Sequence, residues 1–194
     1  SFEVCDSSGK PLSYIKTSKA NWRIQTHKQS RIQVRYKIYA NELNCRSSYS
    51  DHEKIFFNPA SLLFYPAGNL KVKTAVKIKF LKSWKIALSK VLRNGAYHFS
   101  DFDELYDTPV LIAKDLKIQK FQVKNAKFEL ARVGHAECDF EKVVSDLKKI
   151  IESQIKIFKK TPCQKYLFQV ILDKGNYGGL EHCFSSTNIF DGFK

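Results

Sequence analysis

Residues 166–182 read YLFQVILDKGNYGGLEH. The first seven, 166–172, are apolar almost without interruption and rich in β-formers, the composition of a strand buried on both faces. The pair Gly178-Gly179 then removes side chains where backbone must bend or another chain must come close. Glu181 and His182 follow at once. Read alone, GGLEH is either a glycine turn entering an ordinary edge strand with an exposed carboxylate, or one side of a binding site.

Upstream of that strand the periodicity is helical. From Asp139 to Lys160 the apolar positions Phe140, Val143, Val144, Leu147, Ile150, Ile151 and Phe158 fall on one face. Asp139 is a natural N-cap, Lys159 and Lys160 suit the negative end of the macrodipole, and Thr161-Pro162 closes the helix.

Before Gly134 the pattern has period two instead. In RIQVRYKIYA, 31–40, Ile32, Val34, Tyr36 and Ile38 share one face while Arg31, Gln33, Arg35 and Lys37 share the other. LKVKTAVKIKF, 70–80, repeats the alternation with lysines outward. Such half-solvated strands belong to antiparallel sheets. Shorter strands are expected at 2–5, 22–26, 61–65, 116–123 and 127–132, with a bulge where the apolar phase shifts between Ile118 and Phe121. Segment 84–92 fits a short helix or extended chain equally. Asp101 and Glu104 form a capping-box pattern for one turn of helix, which Pro109 ends. The expected organisation is therefore a mainly β amino-terminal domain, an antiparallel sheet or sandwich, over 1–134. The first helix and strands of an α+β domain follow over 135–194.

Composition narrows the function classes. The 194 residues are 43% hydrophobic and 13% aromatic with only 8 Gly and 5 Pro, which describes a globular chain. No run approaches 18 apolar residues, so no membrane-spanning helix is expected. The 33 lysines and arginines exceed the 19 carboxylates and give a charge of +14. Lys71, Lys73, Lys77 and Lys79 are spread along a strand face without a dense arginine run, which speaks for a solvated face and against nucleic-acid binding. Five cysteines, Cys5, Cys45, Cys138, Cys163 and Cys183, include no CxxC and imply free thiols and a cytoplasmic setting.

Metal and nucleophile motifs do not appear. None of His27, His52, His98, His135 and His182 forms the i, i+4 pair of a zincin; His52-Glu53 begins like one, but Phe56 stands where the second histidine belongs. There is no GxSxG, GxxxxGK[ST] or GxGxxG. Cys183 beside His182 is weak support for a Cys-His pair, because neighbours on an extended chain face opposite ways.

GGLEH has companions in order. Pro162, Tyr166, Phe168 and Gly178 lead to it, and Ser185 or Ser186 follows. Upstream lie Trp22 in NWRI, then VRYKIYANELNCRSSYSDHEKIFFNPASLLFY at 34–65, then FDELYDTPV with Asp107 and Pro109. Together, over about 20–194, these blocks resemble the glycyl aminopeptidase family of gluzincin-type zinc metallopeptidases. The resemblance implies an amino-terminal β-domain followed by the start of a thermolysin-like α+β catalytic domain. It also implies that GGLEH is the counterpart of the GxMEN-type edge strand whose backbone pairs with substrate.

On that likeness Glu181 would bind the free α-amino group of a peptide, Gly178 and Gly179 would admit its backbone, and Leu180 belongs to the same strand. His182 would either assist in the cleft or orient the strand. The family prefers Gly or Ala at the amino terminus of its substrates and uses zinc held by a His-Glu-x-x-His helix. That motif is expected after Lys194, and the start of the β-domain is expected to be truncated, since the family's early β-strands and a Pro-Gly-Ser-Tyr block before NWRI are missing. Lacking the motif, the segment by itself would hold no zinc and cleave nothing. The alternative is a non-catalytic basic β-domain that binds a protein or an anion.

Overall fold

The computed structural model describes residues 1–28 and 31–192, so the last two positions of the 135–194 segment lie outside the described residues. The chain forms two compact units, Ser1–Tyr39 and Ala40–Lys194. In the first, β1 (Phe2–Asp6) pairs antiparallel with a later strand of the same unit. Two short strands, β2 (Tyr14–Lys16) and β3 (Trp22–Ile24), make a separate antiparallel pair. The partner of β1 is β4 (Ile32–Tyr36), which covers only the first half of the strand expected over 31–40; residues 37–40 leave the strand, and Ile38, expected inward, is exposed.

The second unit opens with β5 (Ser48–Ser50) and β6 (Lys54–Phe57), followed by β7 (Thr74–Val76), β8 (Lys85–Ala87), β9 (Leu92–Arg93) and β10 (Ala96–Phe99). Helix α1 (Phe102–Tyr106) leads into β11 (Val110–Ala113), and β12 (Lys117–Val123) and β13 (Ala126–Val133) form a hairpin. Helix α2 (Phe140–Phe158), β14 (Lys165–Leu172), β15 (Gly178–Glu181) and β16 (Ser185–Phe190) complete it. Among the described residues of this unit three sheets result, with orders β7-β10-β9, β5-β6-β11-β8 and β12-β13-β14-β16-β15.

These elements stack in layers because alternate residues face opposite ways. On β14, Leu167 and Ile171 pack with Phe56, Leu111 and Ala87 of the four-stranded sheet. Its other face, Tyr166, Phe168 and Val170, packs under Val144 and Ile155 of α2. The near-continuous apolar run at 166–172 therefore serves two cores at once. On β11, Val110 and Ile112 turn to a third core with Leu88, Tyr97, Phe99 and Leu105. Gln169 and Thr187 are polar residues fully buried between the two larger sheets. Gln169 donates to the carbonyls of Ala87 at 2.9 Å and Pro109 at 3.1 Å, and accepts from Thr187 Oγ1 at 2.9 Å.

Several expectations need correction. Residue 134 does not separate two sheets: β13 and β14, on either side of it, pair in parallel from Lys127↔Lys165 to Val133↔Ile171. The change from period two to period 3.6 marks the α2 crossover inside one compact unit. Gly134 is where the chain turns away; its φ is +92° and a Cβ there would lie 2.2 Å from the Leu172 carbonyl oxygen. The bulge between Ile118 and Phe121 is absent, since β12 and β13 pair residue for residue from Lys117↔Arg132 to Val123↔Ala126. The 70–80 strand shortens to Thr74–Val76, because its partner β10 spans only four residues. The strand expected at 61–65 begins instead in a 3-10 turn, Pro59–Ser61, capped by Asn58. Segment 84–92 resolves to extended chain.

On α2, Asp139 caps the first turn through bonds from Glu141 N and Lys142 N, as its position foretold. Ile150 and Phe158, read as part of the buried face, are 54% and 69% exposed, whereas Ile155 is buried. Glu104 of the capping pattern accepts from Ser100 N at 2.7 Å, one residue before the N-cap Asp101. No helix among the described residues is long and apolar enough to cross a membrane.

Candidate functional site

The GGLE strand, β15, lies at an edge of the five-stranded sheet, bordered on one side by β16. Its register fixes what the open side offers. His182 N donates to Ser185 O at 2.8 Å, and the antiparallel pairs run Glu181↔Ser186, Leu180↔Thr187, Gly179↔Asn188 and Gly178↔Ile189. In such a ladder hydrogen-bonded pairs alternate. Residues 178, 180 and 182 thus point their main-chain groups at β16. The N–H and C=O of Gly179 and Glu181 point to the open edge.

Side chains alternate in the same way. Leu180 faces inward against the core that contains Cys45 and Leu167, and Gly178 faces the same way. A Cβ on Gly178 would stand 3.1 Å from Cys45 Sγ, so its missing side chain makes room for internal packing. Burial pushes the Cys45 thiol up, which favours its protonated form. Gly179 has ordinary space, with its nearest atom at 3.6 Å, and is exposed together with Glu181.

His182 continues the inward face, and its side chain is 3% exposed. Its Nδ1 lies 2.8 Å from Asp107 Oδ1, while the main-chain N–H of Cys183 donates to Asp107 Oδ2 at 2.7 Å. A carboxylate only accepts, so the ring hydrogen of this contact sits on Nδ1. Nε2 is buried without a hydrogen-bond partner among the described residues. Asp107 stands on a fixed support. Its own N–H donates to Asp103 O at 3.1 Å, Thr108 Oγ1 donates to Glu104 O at 2.8 Å, and Pro109 is fully buried.

These elements border an open cleft of about 320 Å³ lined by Asp103, Tyr106, Asp107, Leu180, Glu181 and His182, with Asn58 and Ala60. Three carboxylates and no lysine or arginine line it, on a chain whose net charge is +14. Lys71 reaches the rim to pair with Asp103 at 2.7 Å. Such a cleft attracts a cation and can give an ammonium group charge-assisted acceptors. A larger and more apolar hollow of about 420 Å³ lies beside the end of α2, lined by Phe128, Ile155, Phe158 and Phe168. It brings together no acid–base or charged constellation.

The cleft does not fit a zinc ion. Among the described residues no group of three or more His, Cys, Asp or Glu side chains is placed to hold a metal. His182, the one histidine here, has Nδ1 committed to Asp107 and Nε2 buried. The structure brings Gly178, Gly179, Leu180, Glu181 and His182 onto one strand and its turn, and adds Asp107 from the FDELYDTPV block. Asn58 and Tyr106 also line the cleft. Asn58 reads in the sequence only as a turn signal, and nothing in the sequence marks Tyr106 as lining the cleft.

Residues 1–114 match the family described as Peptidase M61 N-terminal domain. No curated protein sequence matches the chain significantly. Among solved structures, an aminopeptidase N family protein from Idiomarina loihiensis superposes with a TM-score of 0.90 at 29% identity, over 97% of this chain and 33% of that one. An M1 zinc metallopeptidase from Deinococcus radiodurans gives 0.52 at 9% identity, over 97% of this chain and 49% of that one. Native yeast LTA4 hydrolase gives 0.55 at 13% identity, over 97% and 34%. The last two are alike in fold alone. The chain spans about a third to a half of the length of these structures.

Proposed function

Starting from the Peptidase M61 N-terminal domain family, to which the chain belongs through residues 1–114, we propose that it is part of a zinc-dependent aminopeptidase of the glycyl aminopeptidase type. In this reading the segment binds the amino end of a peptide, and the whole protein releases a small first residue, Gly or Ala. The described residues of this chain would not hold zinc; bound elsewhere in the complete protein, it would supply the Lewis acid for peptide hydrolysis. The residues of this chain bind and orient.

The observation that carries the reading is the free edge of β15. Main-chain groups of Gly179 and Glu181 face outward there, and the exposed Glu181 carboxylate borders a cleft shared with Asp103 and Asp107. A peptide added as a further strand would pair with those groups. Its α-ammonium would meet Glu181, while Gly179 leaves the approach clear.

Titration of the ¹⁵N-labelled chain with triglycine and with N-acetyl-triglycine tests the binding half. Shifts confined to β15 and the cleft, larger for the free amine and lost in Glu181→Gln, are expected. Equal response to both peptides rejects amine recognition. Release of Gly or Ala by the zinc-loaded complete polypeptide tests the catalytic half.

A further inference from the structure

Recognition of an ammonium needs a carboxylate held in place, yet Glu181 sits on a strand that favours movement. β15 is an edge with neighbours on one side only, and two of its four residues are glycines. We propose that Asp107 is the positioning residue for Glu181, acting through His182 and Cys183; this rests on the amine-recognition reading above.

The geometry of the tie is the argument. Asp107 holds the two residues directly after Glu181 with its two oxygens, His182 through the ring at 2.8 Å and Cys183 through the main chain at 2.7 Å. Two bonds from successive residues to one planar group fix direction as well as distance. They act at the hairpin between β15 and β16, where His182 N also pairs with Ser185 O. The far end of the tie is anchored independently. Asp107 ends α1, and two residues on the Pro109 carbonyl accepts from buried Gln169 at 3.1 Å. Displacement of Glu181 along the edge would therefore require both Asp107 bonds to break, with the His182 ring left dry. The block matched to the family's amino-terminal domain thus orients a strand that lies beyond the match.

The test separates position from charge. His182→Leu breaks the ring contact and keeps the Asp107 charge, whereas His182→Asn retains a side-chain N–H donor near the place of Nδ1. Binding of triglycine and N-acetyl-triglycine is followed by ¹⁵N chemical shifts of the full chain. In His182→Leu and in Asp107→Asn the preference for the free amine should fall about tenfold, with binding of the acetylated peptide unchanged. In His182→Asn the preference should return to near the wild-type value. Should His182→Leu unfold the chain, His182→Met, which also lacks the side-chain N–H and keeps the Asp107 charge, carries the same comparison.

Retention of the wild-type preference in both His182→Leu and Asp107→Asn overturns the positioning role while leaving amine recognition standing. Equal loss for both peptides overturns it as well, since that marks a merely structural tie. A wild-type chain without preference overturns amine recognition itself, and the positioning role with it.

Discussion

The contact of His182 Nδ1 with Asp107 Oδ1, at 2.8 Å, joins a buried ring to a half-open carboxylate: the side chains are 3% and 41% exposed. Stability should respond asymmetrically to its loss. Asp107→Ala leaves the ring N–H dry and unpaired and should cost about 2–3 kcal/mol. His182→Leu leaves a carboxylate that water still reaches, and it removes the partnerless Nε2. It should cost at least about 1 kcal/mol less. Urea unfolding of both variants measures the difference; equal costs, or the reverse order, would contradict the assignment of the buried end.

Adjacent glycines of β15 should behave differently. Gly178→Ala places a methyl 3.1 Å from Cys45 Sγ inside a packed core and should destabilise the chain by about 1 kcal/mol. Gly179→Ala meets nothing closer than 3.6 Å and should be neutral or stabilising by a few tenths of a kcal/mol. The same Gly179 methyl stands on the exposed face of β15 that Glu181 shares, so peptide binding should weaken there although the fold does not. Thermal melts together with triglycine titrations separate the two effects. A Gly179→Ala chain that binds peptide as wild type does would place the ligand elsewhere.

Strong periodicities were readable, and partnerships were not. The α2 helix and β14 announce themselves because one amphipathic face and one doubly buried run each have a local signature. The length of β7 is set by β10, twenty residues away, so the lysine alternation around Thr74 overstated it. Gly134 marks a change of pattern that looks like a domain boundary in the sequence, because parallel pairing of β13 with β14 leaves no trace in a single strand. At the cleft, GGLEH and Asp107 both stand out in the sequence, but only folding shows that the second grips the end of the first. The partner of His182 does not show in the sequence, since it is a residue 75 positions away.

Gln169 offers a test of the joint between the two larger sheets. It satisfies the Ala87 and Pro109 carbonyls and Thr187 Oγ1, and it is fully buried. Gln169→Leu should cost about 3 kcal/mol, because three groups lose their partner where water cannot replace it. Thr187→Val alone should cost less. The double variant should be less destabilised than the sum of the two, since the hydroxyl is already orphaned in the first. A double-mutant cycle in urea reads the coupling, and strict additivity would mean that the Gln169–Thr187 bond contributes nothing.

Lys54 predicts how stability depends on pH. Its ammonium lies 3.1 Å from Asp173 and 3.3 Å from Asp51, with a side chain 10% exposed. Burial alone would lower the Lys54 pKa, but the hydrogen bond and charge of Asp173, with those of Asp51, outweigh it and raise the value. Burial likewise works against the Asp51 carboxylate, yet N–H bonds from Lys54 and Glu53 and the Lys54 charge hold its pKa below the usual range. The Lys54 contribution is fully present below the unfolded lysine value of about 10.4 and is lost as pH rises through the higher folded value. The Asp51 contribution is present above about 3.9 and is lost as pH falls through the lower folded value. Between these limits this cluster contributes a plateau. Lys54→Met should cost about 2 kcal/mol at neutral pH, since two partly buried carboxylates lose their cation. It should also shed less stability than wild type between pH 9 and pH 12, because the group that titrates is gone. Parallel urea titrations across that range measure both effects, and identical alkaline limbs would show that Lys54 is not held in the charged state by Asp51 and Asp173.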